Sequence, residues 1–195
     1  KESSEFRVAL ERWHQHPEFH ALADPKTIQS LGWCIMETAI PDEIAYATEL
    51  ITKTLTRDLS MQDRYLLLDA RGNLAQRLEH YDSAASDFIL ALEFASQAGS
   101  HLWRAKLCND LAVVLYIQDQ TLEAAKYIEM AYNIMLEHGQ PFDLAHMQAR
   151  LGMVCLESAQ FEKAESLMQK SRETLQHVIS LELCEVNLHL ANLYL

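Results

Sequence analysis

Tyr81-Asp82-Ser83-Ala84 is the stretch whose reading decides the fold, because it comes back. Forty residues on stands Thr121-Leu122-Glu123-Ala124, and forty further on Phe161-Glu162-Lys163-Ala164. A fixed period of this size marks a solenoid built from two-helix units. Working outward, the same register places Gly72, Ala112 and Gly152 nine residues upstream of each stretch, and places helix-stopping glycines at Gly99 and Gly139. Each stretch reads as the joint between two helices. Its alanine permits close approach, and Tyr81 is expected to fill the space behind it.

The helices on either side of these joints can be placed from their ends. Phe6, Ala9, Leu10 and Trp13 share one side of a predicted helix over 3–15, which Pro17 ends. Asp24-Pro25 reads as an N-cap followed by proline at the first helical position, opening a helix to about Thr38. Pro41 opens the next, to about Thr56. Ser60-Met61-Gln62-Asp63 resembles a capping box with Asp in place of Glu. It starts a helix to about Glu79, and its partner runs from Asp82 to Ala98. Gly99 stops that helix in the left-handed position glycine takes at least cost. Ser100 then caps a helix to Gln118, and its partner runs from Leu122 to His138. The next pair spans Pro141 to Ser158 and Glu162 to Val178, and Ser180 caps a final helix. Such pairs cannot bury their apolar faces alone, and stacking gives one continuous core. Tyr46, Tyr65, Tyr127 and Tyr132 are expected on inter-helix faces.

Composition narrows the function classes. The 195 residues are 49% hydrophobic and 23% charged with five glycines and four prolines, too apolar for disorder and too poor in turn formers for an all-β protein. The net charge of −12 repels phosphate backbones and anionic lipid, so neither direct nucleic-acid nor membrane-surface binding is expected. Cys34, Cys108, Cys155 and Cys184 are far apart without a CxxC pair, and read as buried thiols of a reducing, cytoplasmic compartment. No signal peptide or membrane-length apolar run is present. A start at Lys1 and an end at Leu195 in mid-helix suggest a piece of something longer. His14, His16 and His20 lack a fourth ligand or cysteine partner nearby, so no metal site is expected. No nucleophile–His arrangement or phosphate-binding glycine loop stands out. The chain is not expected to be an enzyme or to need a cofactor.

Leu68, Gly72, Tyr81, Ala84, Phe88 and Ala91, then Leu111-Ala112, Leu115, Ala124, Ile128 and Ala131, then Leu151-Gly152, Phe161, Ala164 and Met168 resemble successive tetratricopeptide repeats (TPR) in a longer, 40-residue form. Leu31-Gly32 begins an earlier unit, with Ile44 where the turn-side alanine is expected. Leu190-Ala191 begins a later one, and Arg71 stands where Leu is expected. The resemblance implies an all-α, right-handed superhelix of antiparallel helix pairs. The array would occupy 25–195 in about four and a half repeats (25–59, 60–99, 100–139, 140–179 and the truncated 180–195), after an N-terminal helix and connector over 1–24.

TPR arrays line their concave face with the first helix of each unit. That implies a groove formed by Trp33, Asn73, Gln76, Arg77, Lys106, Asn109, Tyr116, His146, Arg150 and Met153. The amides of Asn73 and Asn109 would meet an extended peptide backbone. The carboxylate clamp of chaperone-binding relatives is not matched, because Asp69 precedes Asn73 where Lys should stand and Asp110 follows Lys106 where Arg should. The resemblance implies a non-catalytic protein- or peptide-binding module, the sensory or scaffolding region of a larger cytoplasmic bacterial regulator. The alternatives are a small-molecule effector pocket using Trp33, Arg77, Tyr116 and Arg150, or self-association. A homodimer would form through the apolar face (Leu188, Leu190, Leu193, Leu195) of the open last helix.

Overall fold

The computed structural model describes residues 23–38, 40–176 and 181–193. The predicted helix over 3–15, the histidine-rich connector, Ser180 and Leu195 lie outside them. Among the described residues every regular element is an α-helix: α1 (Pro25–Thr38), α2 (Pro41–Leu55), α3 (Met61–Arg77), α4 (Tyr81–Gln97), α5 (His101–Ile117), α6 (Thr121–His138), α7 (Pro141–Glu157), α8 (Phe161–Leu175) and α9 (Leu181–Leu193).

The expected caps explain two of these starts. One Asp24 carboxylate oxygen accepts the N–H groups of Lys26 (3.0 Å) and Thr27 (3.1 Å), and the other accepts the Thr27 hydroxyl at 2.6 Å. The Thr27 hydroxyl is the largest of the influences that hold the Asp24 carboxyl below its ordinary value. Ser60 Oγ accepts the Asp63 N–H at 3.1 Å and donates to its carboxylate at 2.7 Å. The expected cap at Ser100 does not form; its side chain makes no capping bond to α5.

The turns carry the forty-residue period into the backbone. Glu79, Asp119 and Ala159, each just beyond the first helix of a pair, are left-handed with φ of 61°, 60° and 57°. The residue after each donates its N–H back across the helix end: His80 to Ala75 O (2.9 Å), Gln120 to Leu115 O (2.9 Å) and Gln160 to Cys155 O (2.8 Å). This six-to-one closure satisfies a terminal carbonyl in a turn short enough to return the chain antiparallel. Gly99 takes the same conformation after α4, with φ 67°. Gly139 ends α6 for another reason. Its backbone is extended (φ −80°, ψ 160°), but a Cβ there would stand 2.6 Å from Met135 O.

The described residues fall into two compact units, divided between Asp87 and Phe88 within α4. In the first, α1, α2 and α3 bury a cluster that includes Ile28, Ile35, Ile44, Ile51, Leu67 and Leu74. Arg71 belongs to this unit and is not a misplaced Leu. Its Nε and Nη2 donate to Asp87 Oδ2 (2.7 Å) and Oδ1 (2.6 Å), and its Nη1 donates to Thr52 Oγ1 at 3.0 Å. One guanidinium thereby joins α2, α3 and the first turns of α4.

In the second unit, Ala105, Cys108, Ala131, Met135 and Met147 form one buried cluster, and Ala149, Met168, Val186 and Leu190 another. The small residues of the repeat behave as expected: Ala84, Ala124 and Ala164 are all buried in their respective units. Gly152 sits so close to α8 that a Cβ on it would meet Met168 Cγ at 2.8 Å.

Several expectations need correction. Phe161 is exposed, so an aromatic at the joint is not a general filler. Cys108 and Cys155 are buried, but Cys34 and Cys184 are exposed. Leu190 turns into the core, leaving Leu188 outside, so these two do not share one open apolar face.

Candidate ligand-binding face

The helical periods of α5 and α7 build the site in the second unit. Lys106, Asn109, Val113 and Tyr116 recur at spacings of three and four and share a face of α5. His146, Arg150, Met153 and Glu157 do the same on α7. A cleft of about 480 Å³ lies over the first turns of these helices, walled by Leu102, Trp103, Lys106, Asn109, Phe142, Asp143, His146 and Arg150 and floored by Ala105, Met135 and Met147. A smaller cavity of about 140 Å³ lies toward their last turns, lined by Ala112, Val113, Tyr116, Ala124, Ile128, Arg150, Met153, Val154 and Glu157. Arg150 borders both.

Electrostatics differ along this face. Lys106 Nζ is 2.7 Å from Asp110 Oδ2 and 5.3 Å from the centre of the Trp103 ring, so its charge is already partly answered. Asn109 donates to Asp110 Oδ1 at 3.1 Å, while its own Oδ1 is buried with no hydrogen-bond partner among the described residues. Phe142 and His146 meet edge to face, centroids 4.5 Å apart. The Tyr116 hydroxyl donates to Glu157 Oε1 at 2.8 Å, bridging α5 to α7. That bond, then the Glu157 charge, raises the Tyr116 phenol above its ordinary value. Arg150 is exposed, and no ion pair or hydrogen bond engages it among the described residues.

Of the predicted groove residues, Lys106, Asn109, Tyr116, His146, Arg150 and Met153 thus line two adjoining spaces in one unit. Trp103 and Phe142, which the sequence reading overlooked, supply much of the larger one. In the first unit, Asn73, Gln76 and Arg77 border a cavity of about 450 Å³ with Met36, Glu79 and Tyr81. Trp33 is half-buried on α1 and does not line it. The Asn73 amide is engaged within its own helix, donating to Asp69 O at 2.7 Å and Asp69 Oδ1 at 3.3 Å.

No group of three or more histidine, cysteine or acidic side chains is disposed to hold a metal among the described residues. No helix among them is long and apolar enough to cross a membrane.

No protein-family model matches the sequence, and no curated protein does. Solved structures do. BtubC (BKLC) from P. vanneervenii is similar over 98% of this chain and 82% of its own, with a TM-score of 0.77 at 16% identity. A kinesin light chain-type protein of Podosopora anserina with nearly identical TPR-like repeats matches over 88% of this chain and 87% of its own, with a TM-score of 0.69 at 14% identity. A single-substitution variant of that protein matches over the same shares, with a TM-score of 0.70 at 13% identity. At these identities the likeness concerns the fold, an all-α TPR-like solenoid of antiparallel helix pairs.

Proposed function

We propose that this chain is a non-catalytic module that binds a protein partner through an extended peptide segment laid along α5 and α7. The observation that carries this reading is the meeting of Lys106, Asn109, Tyr116, His146, Arg150 and Met153 around two spaces that share Arg150. Together they offer aromatic walls and, in Arg150, a cation without a partner among the described residues. An extended peptide has side chains for the first and a carboxylate for the second.

The forty-residue register supports the further proposal that the module serves as the sensory or scaffolding part of a larger cytoplasmic bacterial regulator. In that reading no nucleic acid, membrane or cofactor is engaged by this segment, consistent with its charge of −12. The test begins with a displayed peptide library selected on the full chain. Calorimetric titration of the selected peptides should then show binding weakened about tenfold or more by Trp103→Ala and by Arg150→Glu. Peptides that bind both variants as tightly as the parent would overturn the assignment, and so would a library that yields no binder.

A further inference from the structure

The smaller cavity owes its existence to a difference between repeats. In the fourth repeat Gly152 faces Met168, and the fit is tight enough that a Cβ on the glycine would lie 2.8 Å from Met168 Cγ and 3.4 Å from its Cε. Met168 is completely buried there. The third repeat has Ala112 and Ile128 at the same register, the added methyl on one side and a shorter side chain on the other. About 140 Å³ stays unfilled beside them, bounded across the gap by Met153 and Val154.

Three properties of this space restrict what can enter it. Its inner wall is apolar (Ala112, Val113, Ile128, Met153, Val154), so a polar group buried there would lose its hydration without a partner. Its volume is well below that of a pocket for a whole drug-sized ligand, about 300 Å³ at the least, and suits one side chain. Its mouth has Arg150 on the rim, a cation with no partner of its own among the described residues, and the Tyr116–Glu157 hydrogen bond beside it.

We infer that the space bounded by Ala112, Val113, Ile128, Met153 and Val154 is a specificity pocket for one aliphatic side chain of the bound peptide, of Leu, Ile or Met size, with a neighbouring acidic residue of the same peptide against Arg150. This rests on the peptide-binding reading and adds which residue types the partner must carry. The larger cleft anchors the remainder of the peptide, and the small cavity selects its register.

Val113 gives a clean handle, being half-buried on the lining and outside the buried clusters of the unit. Val113→Phe fills the cavity and Val113→Ala enlarges it. Peptides selected on the parent chain should share an aliphatic position next to Asp or Glu. Replacing that aliphatic residue by Ser, or binding to Val113→Phe, should each weaken affinity about tenfold or more, and the two losses should not add. Val113→Ala should move the preference at that one position toward Phe, a change that a merely structural role would not produce. Thermal melts of both variants within a few degrees of the parent show that folding is retained. Peptides that bind with no aliphatic preference, or whose preference ignores the size of residue 113, would overturn the pocket while leaving peptide binding intact. Absence of any binding peptide would overturn both.

Discussion

Arg71 and Asp87 allow the sharpest test of the packing, because the repeat itself supplies the control. At the same register the fourth repeat has Leu151 and Leu167, both buried. The first pair is ionic and the second apolar, in one architecture. Arg71 makes a two-pronged pair at 2.7 and 2.6 Å, with side-chain exposures of 23% for Arg71 and 11% for Asp87. Arg71→Leu strands the Asp87 carboxylate in that environment. Loss of one partner from a buried pair costs about 3–5 kcal/mol, and the remaining exposure of Arg71 brings the expected loss to about 2–3 kcal/mol. For a chain of this length that is a fall of roughly 5–10 °C in Tm. Arg71→Leu/Asp87→Leu installs the fourth repeat's pair and should recover to within about 1 kcal/mol of the parent, or exceed it, since a well-packed apolar pair commonly matches an ionic one. Urea unfolding followed by circular dichroism, with Asp87→Leu completing the cycle, measures this coupling. A single variant as stable as the parent, or a double variant no better than the worse single, would refute the reasoning.

Three other outcomes follow from local geometry. Ala159 is exposed and left-handed, so Ala159→Gly should raise stability by about 0.5–1 kcal/mol, the relief of backbone strain exceeding the extra chain entropy of glycine; a loss on urea unfolding would count against it. Gly139→Ala should lower stability by about 1–3 kcal/mol, because its Cβ would press on backbone oxygen Met135 O, which cannot swing away. In alkylation at pH 8 read by mass spectrometry, Cys34 and Cys184 should label within minutes. Cys108, buried and with its thiol pushed up to about 11 by desolvation, should label only after denaturation, and equal labelling rates would contradict its burial.

Much of the fold could be read because its signals are periodic. Ala84, Ala124 and Ala164 announce three crossings at once, and Asp24-Pro25 and Ser60-x-x-Asp63 mark helix starts by short-range chemistry that the structure reproduces. What was not legible depends on contacts between elements. Arg71 looked like a fault in the motif because its partner Asp87 lies sixteen residues away on another helix. The left-handed residues Glu79, Asp119 and Ala159 share no side-chain chemistry, so only the backbone shows that they are one feature. Cys34 and Cys184 sit in apolar sequence yet face outward, since burial depends on which turn of the helix meets a neighbour. In the candidate site, the residues expected on α5 and α7 come from the family resemblance, counted along the forty-residue register. Trp103 and Phe142 do not, because they stand near the helix starts, outside the motif positions. The occupation of the Asn73 amide by Asp69 was equally invisible to spacing.

Hydrogen–deuterium exchange of the full chain, with and without a saturating selected peptide, tests the central claim most directly. Binding along α5 and α7 predicts slowed exchange over 103–116 and 142–157, reaching α6 only where Ala124, Ile128 and Met135 line the two spaces, with α8 unchanged. Slowing confined to α6 and α8, or none at saturation, would contradict it.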